Sequence, residues 1–269
     1  MTQSELMKRT LRLGTEALYR DARYYDHVYR RRRADVRFYV EMARRHGDPV
    51  LELGAGSGRV ALQLARAGFD VVAVDRMEPM LARAREQAIA LPQRARDRIE
   101  IRRGDLRDLR LRRTFPLVIA PFNVFMHLYE RRDVERALAT CRHHLRTRGR
   151  LVFDVMVPDL DALTESPGKI FRGRPVKHPD GHRYRYMEST HYDPVHQIRT
   201  INMFLEREDD PDVRHMIPLS HRQFFPAELE ALLHCNGFRI EQRYGGFDRR
   251  PFDGQGESQI IVARRRSME

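Results

Sequence analysis

Apolar positions change their spacing twice along the chain. Residues 6–46 are polar on balance, with apolar side chains at loose helical spacing: Leu6, Leu11, Leu13, Ala17 and Leu18, then Val36, Tyr39, Val40 and Ala43. This predicts helices that end at Gly47-Asp48-Pro49. From there the pattern becomes short apolar runs alternating with amphipathic stretches. Strands are expected at 49–53, 70–74, 99–102, 117–120 and 149–156, and helices at 59–67, 79–90 and 132–145. Such alternation predicts a parallel sheet covered on both faces, and right-handed crossovers make it doubly wound.

The second change comes at 157–225, where period-two segments replace the strand–helix rhythm. The segments 183–192, 196–207 and 214–224 are separated by Asp193-Pro194 and Asp209-Asp210-Pro211-Asp212, which are turn signals. They predict an antiparallel meander inserted after the fifth strand, acting as a cap or a dimer contact. A helix at 226–235, with proline in its first turn and Asn236-Gly237 closing it, leads to last strands at 238–244 and 258–263. The expected fold class is therefore α/β, a seven-stranded, mostly parallel sheet with an antiparallel insertion. Its segments are a helical lid (1–46), a ligand-binding core (47–156), the insertion (157–225) and the last helix and strands of the core (226–269).

Composition narrows the class. The chain has 269 residues with 41% hydrophobic, enough for a sizeable core. Two cysteines, Cys141 and Cys235, exclude a disulfide framework and a cysteine-rich zinc module, and they fit a reducing cytoplasm. The N-terminal Met1-Thr2-Gln3-Ser4-Glu5 lacks a signal-peptide pattern, and the apolar run 117–126 is too short for a membrane span. The net charge is +12, and only Lys8, Lys169 and Lys177 among the basic residues are lysine. Arginines are spread over every segment, which fits a composition bias better than one nucleic-acid face. Local clusters remain at Arg30–Arg33 and around 94–113, and the first could steer an anionic acceptor.

The chemistry starts at Val50-Leu51-Glu52-Leu53-Gly54-Ala55-Gly56-Ser57-Gly58, between a strand and a helix. Backbone N–H groups gather at such a helix start. The spacing is not the G-x-G-x-x-G of a dinucleotide fingerprint, and Glu52 would repel a pyrophosphate. A carboxylate there suits a ligand with an ammonium group. Asp75, ending the second strand, can accept from both hydroxyls of a ribose. After the third strand, Asp105 can accept from an adenine amino group and Leu106 can cover its ring.

These residues resemble the class I S-adenosylmethionine-dependent methyltransferases, over strands one to five (49–156) and the final two strands. The resemblance implies a Rossmann-like methyltransferase fold and S-adenosylmethionine as cofactor, held by Glu52, Gly54, Ala55, Gly56, Gly58, Asp75, Arg76, Met80, Asp105, Leu106, Pro121 and Phe122. The turn before strand five departs from the family's Leu-x-Pro-Gly-Gly, keeping only Gly149 in Leu145-Arg146-Thr147-Arg148-Gly149-Arg150. The stretch Phe122-Asn123-Val124-Phe125-Met126-His127-Leu128 is similar to the glycine and amino-sugar N-methyltransferase branch. That branch implies Asn123 positioning the acceptor, His127 as the base near the sulfonium, and an N-terminal lid supplying Tyr25 (or Tyr24) and an arginine of 30–33, taken as Arg31. No metal is implied, because Asn123 has no acid beside it to hold Mg²⁺.

Three function classes follow. The first is a small-molecule methyltransferase acting on nitrogen or oxygen, metal-independent, cytoplasmic and self-associating through the insertion. The second is an RNA or protein methyltransferase, which the charge suggests but no basic–aromatic stretch supports. The third is a non-catalytic cofactor-binding protein on the same fold.

Overall fold

The computed structural model describes residues 3–166 and 168–266. Met1 and Thr2, part of the stretch examined for a leader, lie outside the described residues. In chain order the elements begin with α1 (Gln3–Arg20), α2 (Ala22–Tyr29), α3 (Ala34–His46), β1 (Val50–Leu53), α4 (Ala61–Arg66) and β2 (Val71–Asp75). Then come α5 (Glu78–Ile89), α6 (Gln93–Arg96), β3 (Ile99–Arg103), β4 (Phe115–Ala120), a 3₁₀ turn at Val124–His127, α7 (Arg131–His144) and β5 (Leu145–Met156). The rest are α8 (Leu160–Leu163), β6 (Ile170–Arg172), β7 (Val176–Lys177), β8 (Arg183–Asp193), β9 (Ile198–Arg207), β10 (Arg214–Arg222), α9 (Pro226–Cys235), β11 (Phe238–Tyr244) and β12 (Ser258–Arg265).

The chain forms two compact units, Met1–Arg31 with Pro158–Gln223, and Arg32–Val157 with Phe224–Glu269. The second holds a seven-stranded sheet in the order β11-β12-β5-β4-β1-β2-β3. Strands β1 to β5 pair in parallel, and β12 runs antiparallel to both β5 and β11. Its strands read as unbroken apolar runs because both faces are covered. Leu51, Leu53, Val72, Val74, Val118 and Phe153 pack on one side with α7 and α9. Their neighbours Val50, Val71, Ala73, Leu117, Ile119 and Val152 pack on the other with α3 and α4. The period-two alternation of strand side chains thus divides one sheet between two cores. It also puts Glu52 and Asp154, both buried, on the parity of Val50 and Val152, toward α3.

The first unit is an antiparallel sheet, β10-β9-β8-β6, with β7 also paired to β8. Helix α1 lies against β10 so closely that a Cβ on Gly14 would stand 2.1 Å from Ser220 Oγ. From α2, Tyr24 stacks on His178 at 4.8 Å. The segment 1–46 is therefore divided between the units: α1 and α2 cluster with the insertion, while α3 packs on the parallel sheet.

Three local differences from the sequence pattern have plain causes. β5 starts at Leu145 rather than 149, because Leu145 pairs with Phe115 before a register shift carries the pairing on to Arg150 and Leu117. β9 starts at Ile198 rather than 196, because the turn uses Gln197 at φ 56°. The short β6 and β7 were not anticipated: runs of three and two residues carry no readable period.

Candidate active site

The parallel sheet ends along one edge in the loops that follow β1, β2, β3 and β4. Gly54, Gly56 and Gly58 have φ of 70°, 57° and 83°, the left-handed region that side chains avoid. Two further constraints fix the loop. Ala55 N donates to Val74 O at 3.0 Å, and Gly56 N donates to Asp75 Oδ2 at 2.8 Å. Asp75 also accepts from Met77 N at 2.8 Å. It therefore organises the loop and the turn after β2 at once. Burial nevertheless raises its carboxyl, against those bonds and the charge of Arg76. The methyl end of buried Met80 would stand 3.2 Å from a Cβ on Gly56, and Val124 only 2.4 Å from one on Gly54. Loop, Asp75, Met80 and the 122–127 segment thus converge, as the sequence motif requires.

Glu52 lies under this loop. It is 2% exposed, and its Oε2 has no hydrogen-bond partner among the described residues. Burial pushes its carboxyl up to about 8, against the nearby Arg59 charge and a hydrogen bond from the Ala61 backbone. A buried acid with an unused oxygen is poised for a cationic donor. The narrow glycine cradle, the orphaned Glu52 oxygen and Asp75 together fit a ligand with an ammonium group and a ribose.

Asp105 follows β3 and is held by one neighbour. Arg107 donates to it from Nη2 at 2.6 Å, from Nε at 2.9 Å and from its backbone N at 2.9 Å, and bonds Asp133 at 2.9 Å. Burial would raise this carboxyl, but the Arg107 bonds outweigh it and hold it below the usual range. A carboxylate has about four lone-pair sites, so about one remains for an adenine amino group. Leu106 is half-buried beside it.

At the end of β4, Pro121 is buried, and Phe122 and Asn123 both adopt φ 64°. Left-handed non-glycine residues cost on the order of 1–3 kcal/mol each, so something must hold this turn. Two sets of contacts do. Asp154 accepts from Phe122 N at 2.8 Å and Asn123 N at 3.3 Å. The guanidinium groups of Arg32 and Arg59 lie 4.8 and 5.0 Å from the Phe122 ring centre. Asn123 Oδ1 is buried with no hydrogen-bond partner among the described residues. His127 is half-buried in the 3₁₀ turn that follows.

Two residues are expected to form a lid. Tyr25 and Arg31 belong to the other compact unit. There Tyr25 is buried between the rings of Tyr19 at 5.6 Å and Tyr29 at 4.8 Å, and Arg31 is exposed. The arginine of this run that meets Phe122 is Arg32, one residue further on. Sequence reasoning also missed Asp35, Arg59, Tyr39 and Asp154. Arg59 makes a bidentate bond to fully buried Asp35, at 2.9 and 2.7 Å, and Arg32 adds a longer one at 3.4 Å. Asp154 was the one with a signal, an acid inside the apolar run Leu151-Val152-Phe153-Asp154-Val155. Two surface cavities of the core unit, of about 790 and 570 Å³, contain none of the expected site residues.

The Asp35–Arg59 pair yields a direct expectation. Arg59→Lys keeps the charge but cannot make the forked bond, so denaturant melts should show a loss of about 1–2 kcal/mol. An unchanged midpoint would mean that the pair does not hold α3 to the glycine loop.

The comparisons agree with this geometry. Residues 50–149 match the family model described as a methyltransferase domain. The matched stretch runs from β1 into β5 and holds the glycine loop, Asp75 and Asp105, so the chain is similar to methyltransferases there. More particularly, it is 30% identical to the glycine/sarcosine N-methyltransferase of Parasynechococcus marenigrum (strain WH8102), over 58% of this chain and 59% of that protein. To the glycine/sarcosine N-methyltransferase of Aphanothece halophytica it is 28% identical, over 85% of this chain and 80% of that one. The chain thus spans about three-fifths of the first relative's length. Among solved structures, the CcbJ methyltransferase from Streptomyces caelestis superposes with a TM-score of 0.76 at 27% identity, covering 87% of this chain and 90% of that chain.

Proposed function

We propose that the chain transfers a methyl group from S-adenosylmethionine to an amine nitrogen of a small-molecule acceptor, without a metal. The observation that carries the nitrogen is Asn123 Oδ1, buried and lacking a partner among the described residues at the end of β4. A carbonyl oxygen only accepts, so it calls for an N–H or O–H donor, and an amine can offer one while keeping its lone pair. The two relatives are named as N-methyltransferases, which supports nitrogen.

When bound, the cofactor supplies an electrophilic sulfonium methyl, so that an N–C bond forms as the C–S bond breaks. Glu52 is assigned to the ammonium, Asp75 to the ribose hydroxyls and Asp105 with Leu106 to the adenine. The glycine loop lets the backbone approach the ligand without side-chain obstruction. Asn123 orients the acceptor, which supplies much of the rate enhancement in such a reaction. His127 takes the proton that an ammonium acceptor must lose before it attacks.

Among the described residues no helix is long and apolar enough to cross a membrane. We place the protein in the cytoplasm, acting on a free metabolite rather than on nucleic acid. We assign a homodimer contact to the antiparallel insertion, whose exposed apolar residues include Ile170 on β6, Val195 in the turn after β8 and Met216 on β10.

The test is a panel of glycine, sarcosine and amino sugars with methyl-labelled S-adenosylmethionine. Label should enter at least one amine, and Asn123→Ala should lower kcat on it by roughly 10–100-fold. Label entering only hydroxyl acceptors, or none, would overturn the reading.

A further inference from the structure

Asp154 has no part in the roles assigned above. Its carboxylate is 1% exposed and closes the apolar run of β5. Three donors share it: Tyr39 Oη at 2.5 Å, Phe122 N at 2.8 Å and Asn123 N at 3.3 Å. Tyr39 is itself fully buried on α3. Burial raises the Asp154 carboxyl, and the bonds from Tyr39 and Phe122 only partly counter it. Phe122 meanwhile holds a left-handed backbone conformation that its residue type avoids, and Asn123, of a type that tolerates it, holds the same one. Each feature is unfavourable alone. Together they explain each other: a left-handed pair turns two consecutive N–H groups toward one acceptor, and the buried acceptor is satisfied by them.

We infer that Asp154 is a positioning residue for the methyl acceptor, acting through the backbone of Phe122 and Asn123 to fix where the Asn123 amide stands. The inference rests on the reading of Asn123 as the acceptor contact. Tyr39 donates to the same carboxylate and not to the turn. Clamping of the Phe122 ring by Arg32 and Arg59 holds the side-chain end of the same turn.

Four variants decide it: Asp154→Asn, Asn123→Ala, the double variant and Tyr39→Phe. In Asp154→Asn one acceptor oxygen becomes an NH₂, which faces Tyr39 Oη and Phe122 N at the Oδ1 position or Asn123 N at the Oδ2 position. Amide hydrogen exchange at Phe122 and Asn123 should then quicken at least tenfold, while S-adenosylmethionine affinity by calorimetry stays within threefold. With the best amine of the panel, kcat should fall at least tenfold at unchanged cofactor KM. The double variant should lose no more than the worse single one, since both remove the same contact. Tyr39→Phe leaves both turn bonds in place and should keep kcat within threefold. If Asp154→Asn does not fold, Asp154→Glu replaces it with the same expectations.

Unchanged amide exchange, multiplying losses in the double variant, or a Tyr39→Phe defect equal to that of Asp154→Asn would each overturn the inference. Full activity in Asn123→Ala would instead overturn the acceptor reading. Amide exchange would still report whether Asp154 holds the turn.

Discussion

Gly56→Val is expected to abolish S-adenosylmethionine binding, by at least about a hundredfold, while the protein still folds. The reason lies in what surrounds each glycine of the loop. A side chain on Gly54 would run into Val124 at 2.4 Å, a branched residue fixed at the start of the 3₁₀ turn. Substitution there damages fold and site together. At Gly56 the near neighbour is the flexible methyl end of Met80, at 3.2 Å. The fold pays chiefly for placing a side chain at φ 57°, on the order of 1–3 kcal/mol. That corresponds to roughly 2–4 °C of melting temperature per kcal/mol in a chain of this size. The branched side chain would fill the space where a ligand meets the loop's backbone. Calorimetry and a thermal melt on the same sample separate the two effects. Binding that survives in a folded Gly56→Val protein would place the cofactor somewhere else.

A second large effect should come from pH acting on Glu52. With its carboxyl raised to about 8 by burial, Glu52 is mostly protonated at neutral pH before a ligand arrives. An ammonium brought beside it favours the ionised form, so binding releases a proton. Cofactor affinity should therefore rise with pH between 6 and 7.5, by up to about tenfold per unit, before ligand amines of pKa near 8 lose their own charge. Calorimetry in two buffers of different ionisation enthalpy should reveal the released proton. Glu52→Gln should flatten the profile and weaken binding roughly tenfold or more at pH 7.5.

Stability of the ligand-free protein should move the opposite way. The folded carboxyl lies above the unfolded value of about 4.5, so the neutral form is favoured by folding. Its contribution is intact below the unfolded value and is lost as pH rises through 8, by up to about 1.4 kcal/mol per unit. Ligand-free Glu52→Gln should consequently outlast the parent at pH 8 while binding worse, a trade of stability for function. An affinity independent of pH in the parent would remove Glu52 from the ammonium site.

What the sequence made legible follows from the range of the interactions involved. β1, the glycine loop and β2 were readable because a strand covered on both faces is a continuous apolar run, and because the loop's chemistry sits in consecutive residues. Asp154 and Tyr39 are 115 positions apart, so neither residue's surroundings announce the other. Asp35 and Arg59 are 24 apart and lie among many similar arginines, where a lone acid carries no signal. Within Arg30–Arg33 the choice between Arg31 and Arg32 depends on where α3 begins, at Ala34, which four identical residues do not encode. The partition of the N-terminal helices between two units was equally hidden, since α1 and α3 have similar amphipathic patterns but different partners. Arginines form ion pairs with carboxylates in both units, as in Arg107–Asp133 and Arg185–Glu206.

The order of strands in the parallel sheet has a consequence for how the chain is made. β12 is made after every other strand of this sheet, yet it lies between β11 and β5. Until it arrives, β5 presents an open row of backbone donors and acceptors, flanked by side chains that belong in a core. The roughly hundred residues between β5 and β12 include the whole antiparallel insertion, which closes its own pairings locally. The nascent core is therefore an unfinished sheet with a sticky margin for the time it takes to synthesise that stretch. Self-pairing of two such margins is the misfolding route this topology leaves open, and the speed with which β12 docks sets how often it is taken.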